Sequence, residues 1–133
     1  EVKPLAKIAS GGEMSRIMLA FKKIVSSVDA IPTLIFDEID NGISGITASI
    51  VSKKLKEIAK DHQILCITHL PQIAASGDTN YRIIKSEDEE HTYTTIEKLS
   101  DEEKTKEIAR LLGGTNITET TLASAKELIE STK

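Results

Sequence analysis

Apolar positions along the chain fall into helical stripes separated by short apolar runs. Met14, Ile17, Met18, Phe21, Ile24, Val25 and Val28 recur at helical spacing, while Arg16, Lys22 and Lys23 fall off that stripe. Ser10 opens this first helix after a short approach segment, "LAKIA". The run "DAIP" closes it, because the residue before Pro32 is pushed out of helical geometry. "TLIFD" follows, a short apolar run bounded by turn signals, which predicts a strand buried on both faces. Beyond the glycine-rich turn "NGISG", a second helix runs from Ser44 or Thr47 to Lys60, with Ala48, Val51, Leu55, Ile58 and Ala59 on one stripe. "QILCIT" predicts another buried strand, which His69 ends. "LPQIAASGD" predicts a short helix with Pro71 near its start and Gly77 at its end.

The remainder changes character. "YRIIKSE" and "TYTTIEKL", joined by the acidic "DEEH", predict a β-hairpin with a solvated tip. A helix follows, in which Ser100 and Glu103 form a capping box and Gly113 is the stop signal. A last helix covers Thr118 to Ser131 through Leu122, Ala125, Leu128 and Ile129. The order strand, helix, strand, short helix, strand predicts an α/β fold with a mainly parallel sheet and crossover connections. The C-terminal hairpin and two helices are added to it.

Composition narrows the picture. At 133 residues the chain has the length of one domain with a single core. Hydrophobic residues make up 39%, in periodic runs that exclude disorder, and with 3% aromatics and no Trp the core must be aliphatic. A net charge of −4 argues against a nucleic-acid surface on this piece, since phosphate binding needs a basic patch. No run is long enough for a membrane span, and no signal peptide is visible. Cys66, in "QILCIT", reads as a core thiol in a reducing, cytoplasmic compartment. The chain starts "EVKPLAKIASGG", without Met, and enters a strong motif at once, as a piece of a longer protein would.

Chemistry concentrates in three places. "SGGE" is a capping box between Ser10 and Glu13, but that does not explain Gly11 and Gly12, each costing up to about 1 kcal/mol relative to Ala. Paired glycines suit a close approach to the backbone, and bare amides at a helix start suit a phosphate. Asp37, Glu38 and Asp40 follow the "TLIF" run, at the strand end where open α/β sheets bind ligands. An Asp there can hold Mg²⁺, and an adjacent Glu can orient or deprotonate a water. His69 ends the neighbouring strand and should face the same crevice. His62 and His91 have no companion groups and read as surface residues.

Taken in order, these motifs resemble those of the ATP-binding cassette (ABC) ATPases. "SGGE" resembles their signature motif, "TLIFDE" the Walker B strand, "IDNGISG" the D-loop, and His69 the switch histidine. The longer stretches "LAKIASGGEMSRIMLAFK", "TLIFDEIDNGISG" and "CITHLPQIAASGD" resemble the DNA-repair members of the branch related to the structural maintenance of chromosomes (SMC) proteins. Ala9 and Glu13 stand where transporters have Leu and Gln, a habit of that branch. Nothing matches a Walker A loop or a Q-loop.

The resemblance therefore implies the C-terminal lobe of an ATPase head, completed by an N-terminal half that carries Walker A. It implies ATP and Mg²⁺ as cofactors, Asp37 as the metal ligand, and Glu38 and His69 as catalytic residues. Ser10, Gly11, Gly12 and Glu13 would serve a second nucleotide bound to the opposite head, with Asp40 and its neighbours at the dimer interface. The partners implied are that N-terminal half, a second head in an ATP-sandwiched homodimer, and DNA through the full-length protein in double-strand-break repair. The implied location is the bacterial nucleoid. The chain alone is expected to be inactive, and its sheet to miss the strand between "QILCIT" and "YRIIK". Two other readings remain: a metal-dependent hydrolase or nuclease using Asp37, Glu38, Asp40 and His69, and a non-catalytic interaction domain.

Overall fold

A computed structural model describes residues 9–25, 30–87 and 92–133. The approach segment before Ala9, the run from 26 to 29 and the tip "DEEH" with His91 lie outside the described residues. The elements are α1 (Gly11–Val25), β1 (Thr33–Phe36), α2 (Gly45–Ile58), β2 (Gln63–Cys66), α3 (Pro71–Ser76), β3 (Tyr81–Glu87), β4 (Thr92–Lys98), α4 (Asp101–Gly113) and α5 (Glu119–Glu130). They form two compact units, one running to Ile73 and the other from Ala74 to Lys133, where length alone suggested a single core. None of the described helices is long and apolar enough to cross a membrane.

In the first unit β1 and β2 pair in parallel, Thr33 opposite Gln63 and Phe36 opposite Cys66. The ladder extends at both ends: Gln63 N–H donates to Pro32 O at 2.8 Å and Ile67 N–H to Phe36 O at 2.9 Å. Ser44 caps α2 through the Thr47 amide. Four of the five predicted stripe residues of α2 are buried: Ala48, Val51, Leu55 and Ile58 pack with Leu19, Leu34, Phe36, Ile39 and Ile73, while Ala59, past the helix end, is exposed. The core is aliphatic apart from Phe36.

Two expectations fail here. The strands are not buried on both faces: Ile35 is 68%, Leu65 48% and Ile67 51% exposed, because α1 and α2 supply side chains only to the Leu34–Phe36 face. Nor does α1 bury its apolar stripe, since Ile17, Met18, Phe21 and Ile24 are exposed. The inner face of α1 is instead Gly12, Ser15, Arg16 and Leu19, at helical spacings of three and four. It is held by polar contacts described below.

In the second unit β3 and β4 form the expected antiparallel hairpin, from Tyr81 opposite Lys98 to Glu87 opposite Thr92. Among the described strands β2 pairs only with β1, and β3 only with β4. The Ser100–Glu103 capping box is present, a motif worth about 1 kcal/mol. The stop lies one residue later than the sequence suggests. Gly113 is still helical, and Gly114, at φ 78°, takes the left-handed turn that favours glycine. Thr118 caps α5, and Ala75, Ile108, Ala109 and Ala125 form the core of this unit.

Candidate functional site

The chain leaves β1 at Phe36 and turns tightly. Asp37 and Glu38 are exposed at this rim, whereas Ile39 and Asp40 are buried beneath it. Glu38 has φ 58°, the only positive φ of a residue other than glycine among the described residues. That conformation costs a non-glycine residue about 1–2 kcal/mol. The turn is held from outside by α1. Ser15 donates its hydroxyl to Asp37 O at 2.8 Å, and Arg16 Nη1 donates to Ile39 O at 3.1 Å and Asn41 O at 2.9 Å. Asn41 N–H closes it onto Glu38 O at 3.0 Å.

The glycine pair has its explanation here. A Cβ on Gly12 would lie 2.8 Å from Glu38 O and 2.9 Å from Asn41 O. One on Gly11 would lie 2.3 Å from Glu38 Oε2. What approaches the backbone closely is therefore the chain's own Walker B-like turn. Ser10 caps the helix as expected: its Oγ accepts from Glu13 N–H at 3.3 Å, and in return its N–H and hydroxyl donate to Glu13 Oε2 at 2.8 and 2.9 Å. Those bonds, the backbone one foremost, hold the Glu13 carboxyl below the usual carboxylate range.

Asp40 joins the two strand ends. Its Oδ2 accepts from Thr68 Oγ1 at 2.6 Å, His69 N–H at 2.8 Å and Leu70 N–H at 3.3 Å. His69 Nδ1 lies 3.1 Å from the same oxygen. The Asp40 side chain is 3% exposed and that of His69 70%, so a buried carboxylate lies beside an outward-facing ring. Burial would raise the Asp40 pKa, but the hydrogen bonds from Thr68 and His69 outweigh it and the carboxyl stays below its ordinary range. Burial foremost, then the charges of Asp40 and Asp37, push the Cys66 thiol up to about 12. A core thiol was the expectation, and Cys66 is half-buried.

Of the predicted site residues, the structure brings Gly11 and Gly12 against the turn bearing Asp37 and Glu38, and Asp40 against His69. His62 is a correction: it is buried, and its Nδ1 donates to Ile31 O at 2.7 Å. It stands directly before β2, and the bond to a main-chain carbonyl satisfies Nδ1 there. Sequence reasoning missed Ser15, Arg16 and Thr68. Thr68, directly before His69 at a strand end, carries some signal, whereas Arg16 lies off the apolar stripe, where periodicity gives none.

Among the described residues no three of His, Cys, Asp and Glu converge to hold a metal ion. The rival reading of Asp37, Glu38, Asp40 and His69 as a self-sufficient metal cage lacks that geometry. A single exposed carboxylate such as Asp37 fits Mg²⁺ differently. That ion keeps several waters and takes one or two carboxylates together with substrate phosphates.

No family model matches the chain. It is 51% identical over 127 residues to the DNA repair protein RecN of Haemophilus influenzae, covering 96% of this chain and 23% of that protein. To RecN of Halalkalibacterium halodurans it is 50% identical over 129 residues, covering 97% of this chain and 23% of the relative. To RecN of Bacillus subtilis it is 45% identical, covering 97% of this chain and 22% of the relative. The chain thus spans less than a quarter of the length of these curated relatives. A solved structure, from work on ATP-driven dimerisation and DNA-stimulated activation of SMC ATPases, superposes with a TM-score of 0.57 at 25% identity. It covers 87% of this chain and 69% of that one.

Proposed function

We propose that this chain, similar to RecN proteins over nearly its whole length and to an SMC ATPase structure in fold, forms the C-terminal lobe of an ABC/SMC-type ATPase head. Walker A would come from an N-terminal part of the same longer protein, and a second head would face this one across ATP. The supporting observation is the rim itself: the "SGGE" helix start, the Asp37–Asn41 turn and His69 form one connected assembly. The single-sided pairing of β2 and β3 suits a lobe that receives a further strand from elsewhere.

In this assembly Asp37 would hold Mg²⁺, which supplies positive charge at the β- and γ-phosphates when bound. Glu38 would orient the attacking water and take its proton. Its left-handed backbone sends the side chain towards Gly11 at the helix start. His69 would touch the γ-phosphate from the same rim. Ser10, Gly11, Gly12 and Glu13 would meet the second head's nucleotide, with Ser10 exchanging its bond to Glu13 for one to phosphate. In the full protein such a cycle would serve DNA double-strand-break repair at the bacterial nucleoid, with DNA held by other parts of the dimer.

The test is reconstitution. The chain alone should turn over no ATP. Mixed with an N-terminal partner carrying Walker A, it should hydrolyse ATP and form ATP-dependent dimers, and Glu38→Gln should abolish hydrolysis while prolonging the dimers. Turnover by the chain alone, lost in Glu38→Gln, would overturn the split-head assignment.

A further inference from the structure

Four groups converge on one oxygen of Asp40: the Thr68 hydroxyl, the amides of His69 and Leu70, and the His69 ring. We propose that Asp40 is a positioning residue that orients the His69 imidazole and selects which of its nitrogens faces the nucleotide. This deepens the proposed ATPase reading and rests on it. The argument is geometric. The carboxylate is buried and fixed by two backbone amides, so its lone pairs point in a set direction. With Nδ1 3.1 Å from this acceptor, a proton at that position has the carboxylate to face, which leaves Nε2, on a ring that is 70% exposed, as the nitrogen a phosphate can reach. A phosphate oxygen can only accept. When Nε2 touches phosphate the ring therefore carries both protons, and Asp40 supplies the opposing charge within hydrogen-bond reach.

The same carboxylate ties two loops together. Asp40 lies in the turn after β1 that carries Asp37 and Glu38, while Thr68, His69 and Leu70 follow β2. The turn that carries the metal-binding and water-orienting carboxylates thus also sets the histidine. Asp40 acts within its own subunit, beneath the surface where a second head would dock.

Two measurements test this. Long-range ¹H–¹⁵N NMR of the chain, with the ring signals assigned by His69→Gln, should show neutral His69 protonated at Nδ1 in the parent and shifted towards Nε2–H in Asp40→Asn. Nε2–H in the parent would overturn the proposal, and this arm needs neither a folded Asp40→Asn variant nor any ATPase activity. In the complete protein Asp40→Asn should lower kcat roughly 10- to 100-fold, the size seen when outer-shell partners of a site histidine are lost. KM for ATP should change little. His69→Ala should do the same, and the double variant should be no slower than His69→Ala. Multiplying losses would show that Asp40 acts by another route. An unchanged rate in His69→Ala would refute the ATPase role of His69, and the NMR result would then separate that failure from the orientation itself.

Discussion

Gly11 and Glu38 are in contact: a methyl group on Gly11 would come within 2.3 Å of the Glu38 carboxylate. Its neighbour Gly12 faces main chain instead, the carbonyls of Glu38 and Asn41. Two adjacent glycines with one sequence signature thus serve different ends. Gly12 lets the helix lie against the turn, and Gly11 leaves room for the side chain proposed to orient the water.

The two glycines should separate on substitution. Gly12→Ala pushes against backbone that Arg16 and Asn41 hold in place, so it should destabilise the chain by about 1–3 kcal/mol. Gly11→Ala meets only the mobile end of a side chain and gains helix propensity, so its stability should stay within about 1 kcal/mol of the parent. Urea unfolding of both variants decides this. In the complete protein Gly11→Ala should slow hydrolysis more than it weakens ATP binding, because it displaces the Glu38 carboxylate. Equal stability losses would mean that the helix start does not sit on the turn.

This contrast shows what the sequence could carry. Caps were legible because they are local: Ser100 with Glu103 and Ser10 with Glu13 lie three residues apart. The stripe of α2 was legible because its inner face is apolar. For α1 the same logic chose the wrong face. Its inner residues include Ser15 and Arg16, which bond carbonyls 22 to 25 positions away. Periodicity of apolar residues cannot register such a contact. The three motifs were legible as a series, but the bond from Asp40 to the Thr68–Leu70 loop depends on the register of β1 beside β2. Ile35 and Leu65 read as core because an apolar run does not say whether a second layer covers it.

Glu38 holds its left-handed conformation against its own side chain. Glu38→Gly should therefore stabilise the fold by up to about 1 kcal/mol while removing hydrolysis in the complete protein. Glu38→Gln should leave both stability and ATP binding near the parent and slow hydrolysis strongly, since the amide keeps the shape and loses the base. Normal turnover in Glu38→Gln would remove this residue from the chemistry.

With its pKa near 12, Cys66 should be almost entirely thiol at neutral pH. Iodoacetamide should label it far more slowly in the native chain than in urea at the same pH. Asp40→Asn, by removing one of the two nearby charges, should speed native labelling. Equal rates in the native and unfolded states would contradict the half-buried, acid-flanked placement.

Asp40 also sets an acid limit. Its folded pKa is below the ordinary aspartate value of 3.8, so ionised Asp40 contributes stability above that value. The contribution disappears as pH falls through the folded pKa. Asp40→Asn should thus be less stable than the parent at neutral pH, and the gap should narrow only once the pH drops below about 4. Thermal unfolding across that range measures it. A constant gap down to strong acid would show that the loss in Asp40→Asn comes from packing and not from charge.

The open face of the first sheet carries the last expectation. Ile35, Leu65 and Ile67 are exposed, and among the described strands β2 has a neighbour on one side only. Apolar faces beside free strand edges template association. The chain on its own should therefore self-associate in sedimentation at micromolar concentrations, and Ile35→Lys with Ile67→Lys should suppress this without unfolding it, because neither side chain contributes to the buried cluster. The hairpin is thinly covered as well, every residue of β4 being exposed, so amides of residues 81–87 and 92–98 should exchange faster than those of Leu34 and Phe36. Adding an N-terminal partner should both suppress association and slow hairpin exchange, since a strand supplied from elsewhere would fill the free edges. A clean monomer with uniform protection would mean that these edges need no further strand, which would count against the lobe being half of a head.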